Sequence, residues 1–264
     1  MSIQQEGDLF VRALARGLTV IEAFDNQHAR LTLADVAKRT DMTRATVRRL
    51  LHTLCSLGYV YTDGKYFSLK PKVLNLGFAY LSSLNLAQLA LPLMEELVAD
   101  VHESCSVSVL DEGEAVYVTR VPTKRIMSIG INIGTRFPAM VTSMGRVLLS
   151  GLSEQALAEL LNRSPWPAYT ANTITSVDAL TKEVDTIRQQ GFALVVEELE
   201  QGLISLAMPI KNEEGQIVAA INLSSHITRH TPDQMLSELK PALEKTAKAI
   251  SAAIQRGQSS LNRH

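Results

Sequence analysis

Along residues 32–57, TLADVAKRTDMTRATVRRLLHTLCSL, apolar positions recur at helical spacing in two short runs parted by Thr40-Asp41-Met42. In the second run Val47, Leu50, Leu51 and Leu54 fall at i, i+3, i+4 and i+7, which predicts one buried face. Thr43 precedes it as a side-chain cap. The opposite face carries Arg44, Ala45, Arg48, Arg49 and His52, with Thr46 near the start and no acid. The first run opens at Thr32 and turns Leu33, Val36 and Ala37 inward. So short a break holds two helices at a steep angle, and the pair reads as a helix-turn-helix. Beyond Gly58, Tyr59-Val60-Tyr61 and Tyr66-Phe67-Ser68-Leu69 flank Asp63-Gly64, which predicts a hairpin and hence a wing.

Upstream, Leu14, Leu18, Ile21 and Phe24 make a helix expected to pack on the pair as its third member. Downstream, residues 73–81 begin a helix apolar on more than one side, which fits either burial within the chain or a second subunit. A further helix spans 86–102, with Pro92 at a bend or break. The period then becomes alternating: strands are expected at 105–110, 115–121, 125–133, 192–197, 203–210 and 216–224. Helices are expected at 143–149, 153–161 and 176–190, with a polar loop at 164–175 and a last helix from Thr231-Pro232 to about residue 254. Strands flanked by helices make the second part an α+β sensor-type domain. The expected division is residues 1–70 for the winged helix, 71–84 for a linker helix and 85–264 for the sensor.

Charge adds a partner to this picture. Between residues 36 and 72, Lys38, Arg39, Arg44, Arg48, Arg49, Lys65, Lys70 and Lys72 face only Asp41 and Asp63, whereas the whole chain is −1. A local basic patch on a winged helix points to DNA, although an arginine face is equally what a solvated helix shows. No N-terminal leader pattern and no apolar run of ~18 residues occurs, so a cytoplasmic protein without a membrane span is expected. Cys55 and Cys105 are read as buried thiols.

Enzyme signatures are absent: no Walker A, GxGxxG, GxSxG, HExxH or CxxC pattern occurs. Ser237 and Lys240 form a Ser-x-x-Lys without its companion motifs, and His226 and His230 lack a third metal ligand in register. No cofactor or metal is expected. In the strand 216–224, Ile217, Ala219, Ile221 and Leu223 share one side, while Val218, Ala220, Asn222 and Ser224 share the other. The second side suits a cavity wall or a strand end reaching solvent. Ser205 sits alone in an apolar strand, as a buried hydroxyl or a ligand contact. Ser143, Met144 and Gly145 open a helix whose free amides suit a carboxylate, with Arg136 or Arg146 assisting.

Together with the winged helix, the segments GTRFPAMVTSMGRVLLSGL and EELEQGLISLAMPIKNEEGQIVAAINLS make nearly all of residues 10–255 resemble the IclR family of bacterial transcription regulators. FVRALARGLTVIEAFD, LKPKVLNLGFAYLSSL and VHESCSVSVLDEGEAVYVTRVPTKRIMSIGINIGTR resemble its branch controlling protocatechuate, 4-hydroxybenzoate and β-ketoadipate catabolism. The resemblance implies a linker helix that pairs two subunits, often as tetramers, and a GAF-like domain for a small organic acid. DNA contacts would fall to Thr43, Arg44, Thr46, Arg48, Arg49 and Lys65. Effector contacts would fall to Arg136, Ser143, Met144, Gly145, Ser205, Asn222 and Ser224. Where many members have Thr-Ala-x-Gly-Lys, this chain has Thr142-Ser143-Met144-Gly145-Arg146, and Asn222 replaces a commoner serine. Those departures imply an aromatic or dicarboxylic acid rather than glyoxylate or pyruvate. The alternative from another class is a small-acid-processing enzyme with a winged-helix interaction module; a third is a DNA-architectural protein.

Overall fold

The computed structural model describes residues 10–25, 27–77, 86–123, 131–163 and 167–261. The chain divides into two compact units between residues 83 and 84.

In the first unit, α1 (Arg12–Glu22) precedes the short β1 (Leu31–Thr32), α2 (Leu33–Thr40), α3 (Arg44–Ser56), β2 (Val60–Thr62) and β3 (Tyr66–Leu69). Thr32 caps α2 in a reciprocal capping box with Asp35, and Asp41 ends it in the left-handed region. Val20, Phe24, Val36, Val47, Leu51 and Leu54 form the core, and Leu50 lies at its edge. Leu14 and Leu18, expected to join that core, are instead 64% and 46% exposed. The C-terminal end of the predicted stripe, Ile21 and Phe24, does pack on that core, beside Val20 and Ala23. The predicted hairpin is present, with Tyr61 opposite Ser68, and gains an unpredicted third strand because β1 pairs with β3. Pro71–Val73 is a 3₁₀ turn and residues 74–77 are helical; the rest of the predicted linker helix, 78–84, lies outside the described residues.

The second unit is α+β. It opens with α4 (Leu86–Val101), through which Pro92 passes without a break. The strands β4 (Ser104–Asp111), β5 (Glu114–Val121), β6 (Arg136–Pro138), β7 (Ala193–Val196), β8 (Leu203–Lys211) and β9 (Ile217–His226) form one antiparallel sheet ordered β6-β5-β4-β9-β8-β7. Between β6 and β7 come α5 (Ser143–Ser150), α6 (Glu154–Arg163) and α7 (Val177–Gln190). The last helix, α8, starts at Pro232–Gln234 with Thr231 as its cap. It passes through a π-helical turn, Met235–Leu239, and continues as Lys240–Leu261, beyond its expected end. Residues 125–130 of one predicted strand lie outside the described residues, and Ile131, Asn132 and Ile133 are not strand. The strand in that region is instead Arg136–Pro138, paired with β5.

Alternation sorts the sheet into two faces. Cys105, Val107, Ile204, Leu206, Ile221 and Leu223 are fully buried on one, where α4 and α8 pack. On the other, Met144, Val147 and Leu148 of α5 rest on Ala115, Ala207 and Ala220, whose small side chains admit the helix. Where α5 begins, this face becomes polar.

Candidate functional site

On the first unit, Thr43 caps α3 by accepting from the Thr46 amide at 3.3 Å, and the two threonine hydroxyls lie 2.9 Å apart. Arg44, Arg48, Arg49 and Lys65 are exposed and, among the described residues, form no ion pair. Arg39 is different: its guanidinium meets Asp25 at 2.6 Å. Three uncompensated arginines on one helix, followed by a hairpin, make a surface suited to a phosphate backbone and base edges.

On the second unit a cavity of about 950 Å³ opens between the start of α5, the polar sheet face and the β7–β8 loop. Strand register assembles its floor. Ser104 lies opposite Ser224, which lies opposite Ser205; in the next row Arg120 lies opposite Ser106, which lies opposite Asn222. Asn222 Nδ2 donates to Ser205 Oγ and to Ser224 Oγ, both at 2.9 Å, and its Oδ1 accepts from the Ser106 amide at 3.2 Å. Ser143 Oγ, from α5, closes the cluster at 2.6 Å from Ser205 Oγ. The sheet and the helix start, 62 residues apart in sequence, thus share one hydroxyl network.

Of the effector residues expected from sequence, Ser143, Met144, Ser205, Asn222 and Ser224 line this cavity. Gly145 does not line it; Thr142 caps its amide at 3.1 Å, and a Cβ there would collide with the Ala139 backbone. Gly145→Ala is therefore expected to destabilise the protein by about 1–3 kcal/mol through overpacking, read as a lowered thermal midpoint. An unchanged midpoint would contradict the close approach. Arg136, expected beside the helix start, lies at the sheet edge, where Glu114 and Asp111 hold its guanidinium at 2.6 and 2.8 Å. Those two acids satisfy it in place of a ligand.

The cationic group on the lining that meets no acid among the described residues is Arg120, which sequence reasoning missed. Strict alternation puts Tyr117 and Arg120 on opposite faces of β5. However, Val107 pairs with Thr119 while Ser108 pairs with Tyr117, so β5 carries one extra residue. That bulge returns both side chains to the cavity side. Arg120 donates to Ser106 Oγ at 3.3 Å, is half-buried and, among the described residues, pairs with no carboxylate. Burial pulls its pKa below the ordinary guanidinium value, yet a guanidinium stays charged at neutral pH. Burial likewise pushes the phenol of Tyr117, also on the lining, up to about 12, so it stays neutral. Arg229, also on the lining, is already engaged by Glu103 through two bonds of 2.9 and 2.8 Å.

Arg146 is the other surprise. Rather than reaching the cavity it is 1% exposed, donating to the Met140 carbonyl at 2.8 Å and pairing with Glu198 of the β7–β8 loop. Glu198 also accepts from the Ile174 amide at 3.1 Å. The described residues contain no three-residue His, Cys, Asp or Glu cluster suited to a metal. Cys105 is buried and free, Cys55 partly buried and free. Among the described residues, no helix is long and apolar enough to cross a membrane.

A winged helix with a bare arginine face, carried on the same chain as a polar cavity lined by a guanidinium that meets no acid among the described residues, defines a regulator class: DNA-binding proteins that carry a small-molecule site. Residues 13–64 match the IclR helix-turn-helix domain and residues 78–252 match the bacterial transcriptional regulator IclR C-terminal domain. The chain belongs to the IclR family and is a transcriptional regulator, not an enzyme. It is 42% identical to the Pca regulon regulatory protein of Pseudomonas putida, over 89% of this chain and 81% of that one. A crystal structure of a transcriptional regulator from Rhodococcus sp. RHA1 is 48% identical, with TM-score 0.83 over 93% of this chain and 98% of that one. An IclR homologue from Microbacterium hydrocarbonoxydans, crystallised with 4-hydroxybenzoate, shares the fold at 23% identity and TM-score 0.81, over 92% and 98% of the two chains.

Proposed function

We propose that this chain is a ligand-responsive cytoplasmic regulator of aromatic catabolism genes. Its effector is a small aromatic or dicarboxylic acid such as protocatechuate, 4-hydroxybenzoate or β-ketoadipate. It binds pseudo-palindromic promoter DNA as a homodimer or a tetramer, with half-sites about one turn, ~34 Å, or a multiple apart. Residues 1–70 read the DNA, 71–84 link, and 85–264 sense.

The observation that carries the effector reading is Arg120 in its cavity: a charged, partly desolvated guanidinium without an acid partner among the described residues. A carboxylate there forms a charge-assisted pair, and Ser143, Ser205, Asn222 and Ser224 receive the polar groups at the far end of the molecule. The known complex of a fold relative with 4-hydroxybenzoate supports that ligand class. A thermal-shift series with 4-hydroxybenzoate, protocatechuate and β-ketoadipate tests it. An acid at a hundred times its Kd stabilises by about 2.7 kcal/mol, and no shift with any of them would overturn the reading.

For DNA, α3 enters the major groove, Arg44, Thr46 and Arg48 reach bases or phosphates beside Thr43 and Arg49, and Lys65 holds the backbone. Each arginine that pairs with a guanine contributes about 1–3 kcal/mol of discrimination. Replacing Arg44 and Arg48 together by alanine is expected to weaken an enriched target duplex far more than a random one, read by fluorescence anisotropy. Unchanged binding would remove α3 from the interface.

A further inference from the structure

The wing tip contains a cation from outside the wing. Arg30 precedes β1, and β1 pairs with β3 so that Thr32 lies opposite Tyr66 and Leu31 opposite Phe67. The ladder brings Arg30, 33 residues distant in sequence, to Asp63 in the hairpin turn, with Nη2 2.6 Å from Oδ2. The other carboxylate oxygen of Asp63 accepts from the Lys65 and Tyr66 amides at 2.9 and 2.8 Å, which fixes the turn. Arg30 Cζ and Lys65 Nζ lie 4.9 and 5.2 Å from the Tyr66 ring centroid. Two cations therefore meet on one aromatic ring, with a carboxylate locked between the turn and one of them.

A surface ion pair gives little reason for this arrangement, since such pairs contribute about 0–1 kcal/mol. The Arg30 side chain is 64% exposed, and a guanidinium has five donors in a flat fork, of which Asp63 engages one nitrogen. The remaining donors are free to meet a phosphate while the Asp63 contact persists. The aromatic contact restricts the side chain beforehand, so less rotamer freedom is lost on binding.

We infer that Arg30 is a second DNA-backbone contact of the wing, acting with Lys65 across Tyr66 as a phosphate clamp. This rests on the DNA-binding reading of the first unit. A phosphate contact strengthens binding to every sequence alike and steepens the salt dependence, whereas a base contact discriminates.

The full chain is titrated by fluorescence anisotropy with a random-sequence duplex and with a duplex enriched from a random pool, across a range of KCl concentrations. Arg30→Ala is expected to weaken both duplexes by the same factor and to reduce the slope of log K against log[salt] by about 0.9. Arg30→Lys keeps the slope. Asp63→Asn, which preserves the turn acceptor and removes the acid, leaves the slope unchanged without weakening binding. An unchanged slope in Arg30→Ala overturns the inference, as does an equal loss in Arg30→Ala and Asp63→Asn, which would make the pair merely structural. A loss confined to the enriched duplex overturns the phosphate assignment. Failure of the unmutated chain to bind either duplex overturns the DNA reading itself.

Discussion

Arg146→Met is expected to lower the unfolding free energy by about 3–5 kcal/mol, the range for breaking a buried ion pair by removing one partner. Arg146 is 1% exposed and Glu198 8%. The substitution fills much of the volume but leaves the Glu198 carboxylate with the Ile174 amide and, among the described residues, no cation at contact distance. It also frees the Met140 carbonyl, to which the guanidinium donates. Because the penalty is an orphaned charge more than a lost attraction, the double replacement Arg146→Met with Glu198→Leu should recover part of the loss. Urea unfolding followed by circular dichroism gives both numbers. A loss under about 1 kcal/mol would show that the pair is weakly coupled to folding, the expectation for exposed pairs.

The second large effect falls on the ligand. Arg120→Met should weaken an acid effector by roughly ten- to a hundredfold, since a hydrogen bond to a charged group contributes about 1.5–3 kcal/mol. The cavity floor is otherwise neutral: Ser205, Asn222 and Ser224 satisfy one another, so removing the guanidinium disturbs no ion pair among the described residues. Basal DNA affinity should be unchanged. Calorimetric titration with 4-hydroxybenzoate, protocatechuate and β-ketoadipate reads the loss directly. Undiminished affinity for an acid that binds the unmutated protein would place the carboxylate elsewhere in the cavity.

The reach of the sequence follows from how local each feature is. The caps at Thr32, Thr43, Ser176 and Thr231, the turn at Asp63-Gly64 and the face Val47-Leu51-Leu54 depend on neighbours within a few residues, and all are present. The alternation of residues 217–224 likewise set Asn222 and Ser224 on one face, and the structure adds Ser205 and Ser143 to them. What escaped depends on distant pairing. Arg120 turns toward the cavity through a bulge that alternation cannot register, and Arg136 turns away because Asp111 and Glu114 happen to face it. Arg146 looked like a ligand group because nothing near it in sequence announces Glu198, 52 residues later. Leu14 and Leu18 fit a helical stripe, but how much of a stripe a helix buries is decided by its partners.

A regulator must couple its two sites, since an effector changes DNA occupancy only through differential affinity for the DNA-binding arrangements. The direct measurement is the DNA affinity of the full chain for its enriched duplex, by anisotropy, with and without a saturating concentration of each of the three acids. The expected result is a shift in Kd of about 5- to 150-fold with at least one acid, the usual range of allosteric coupling, and its disappearance in Arg120→Met. An identical DNA affinity with every acid, in a protein shown by calorimetry to bind one of them, would contradict ligand-controlled regulation.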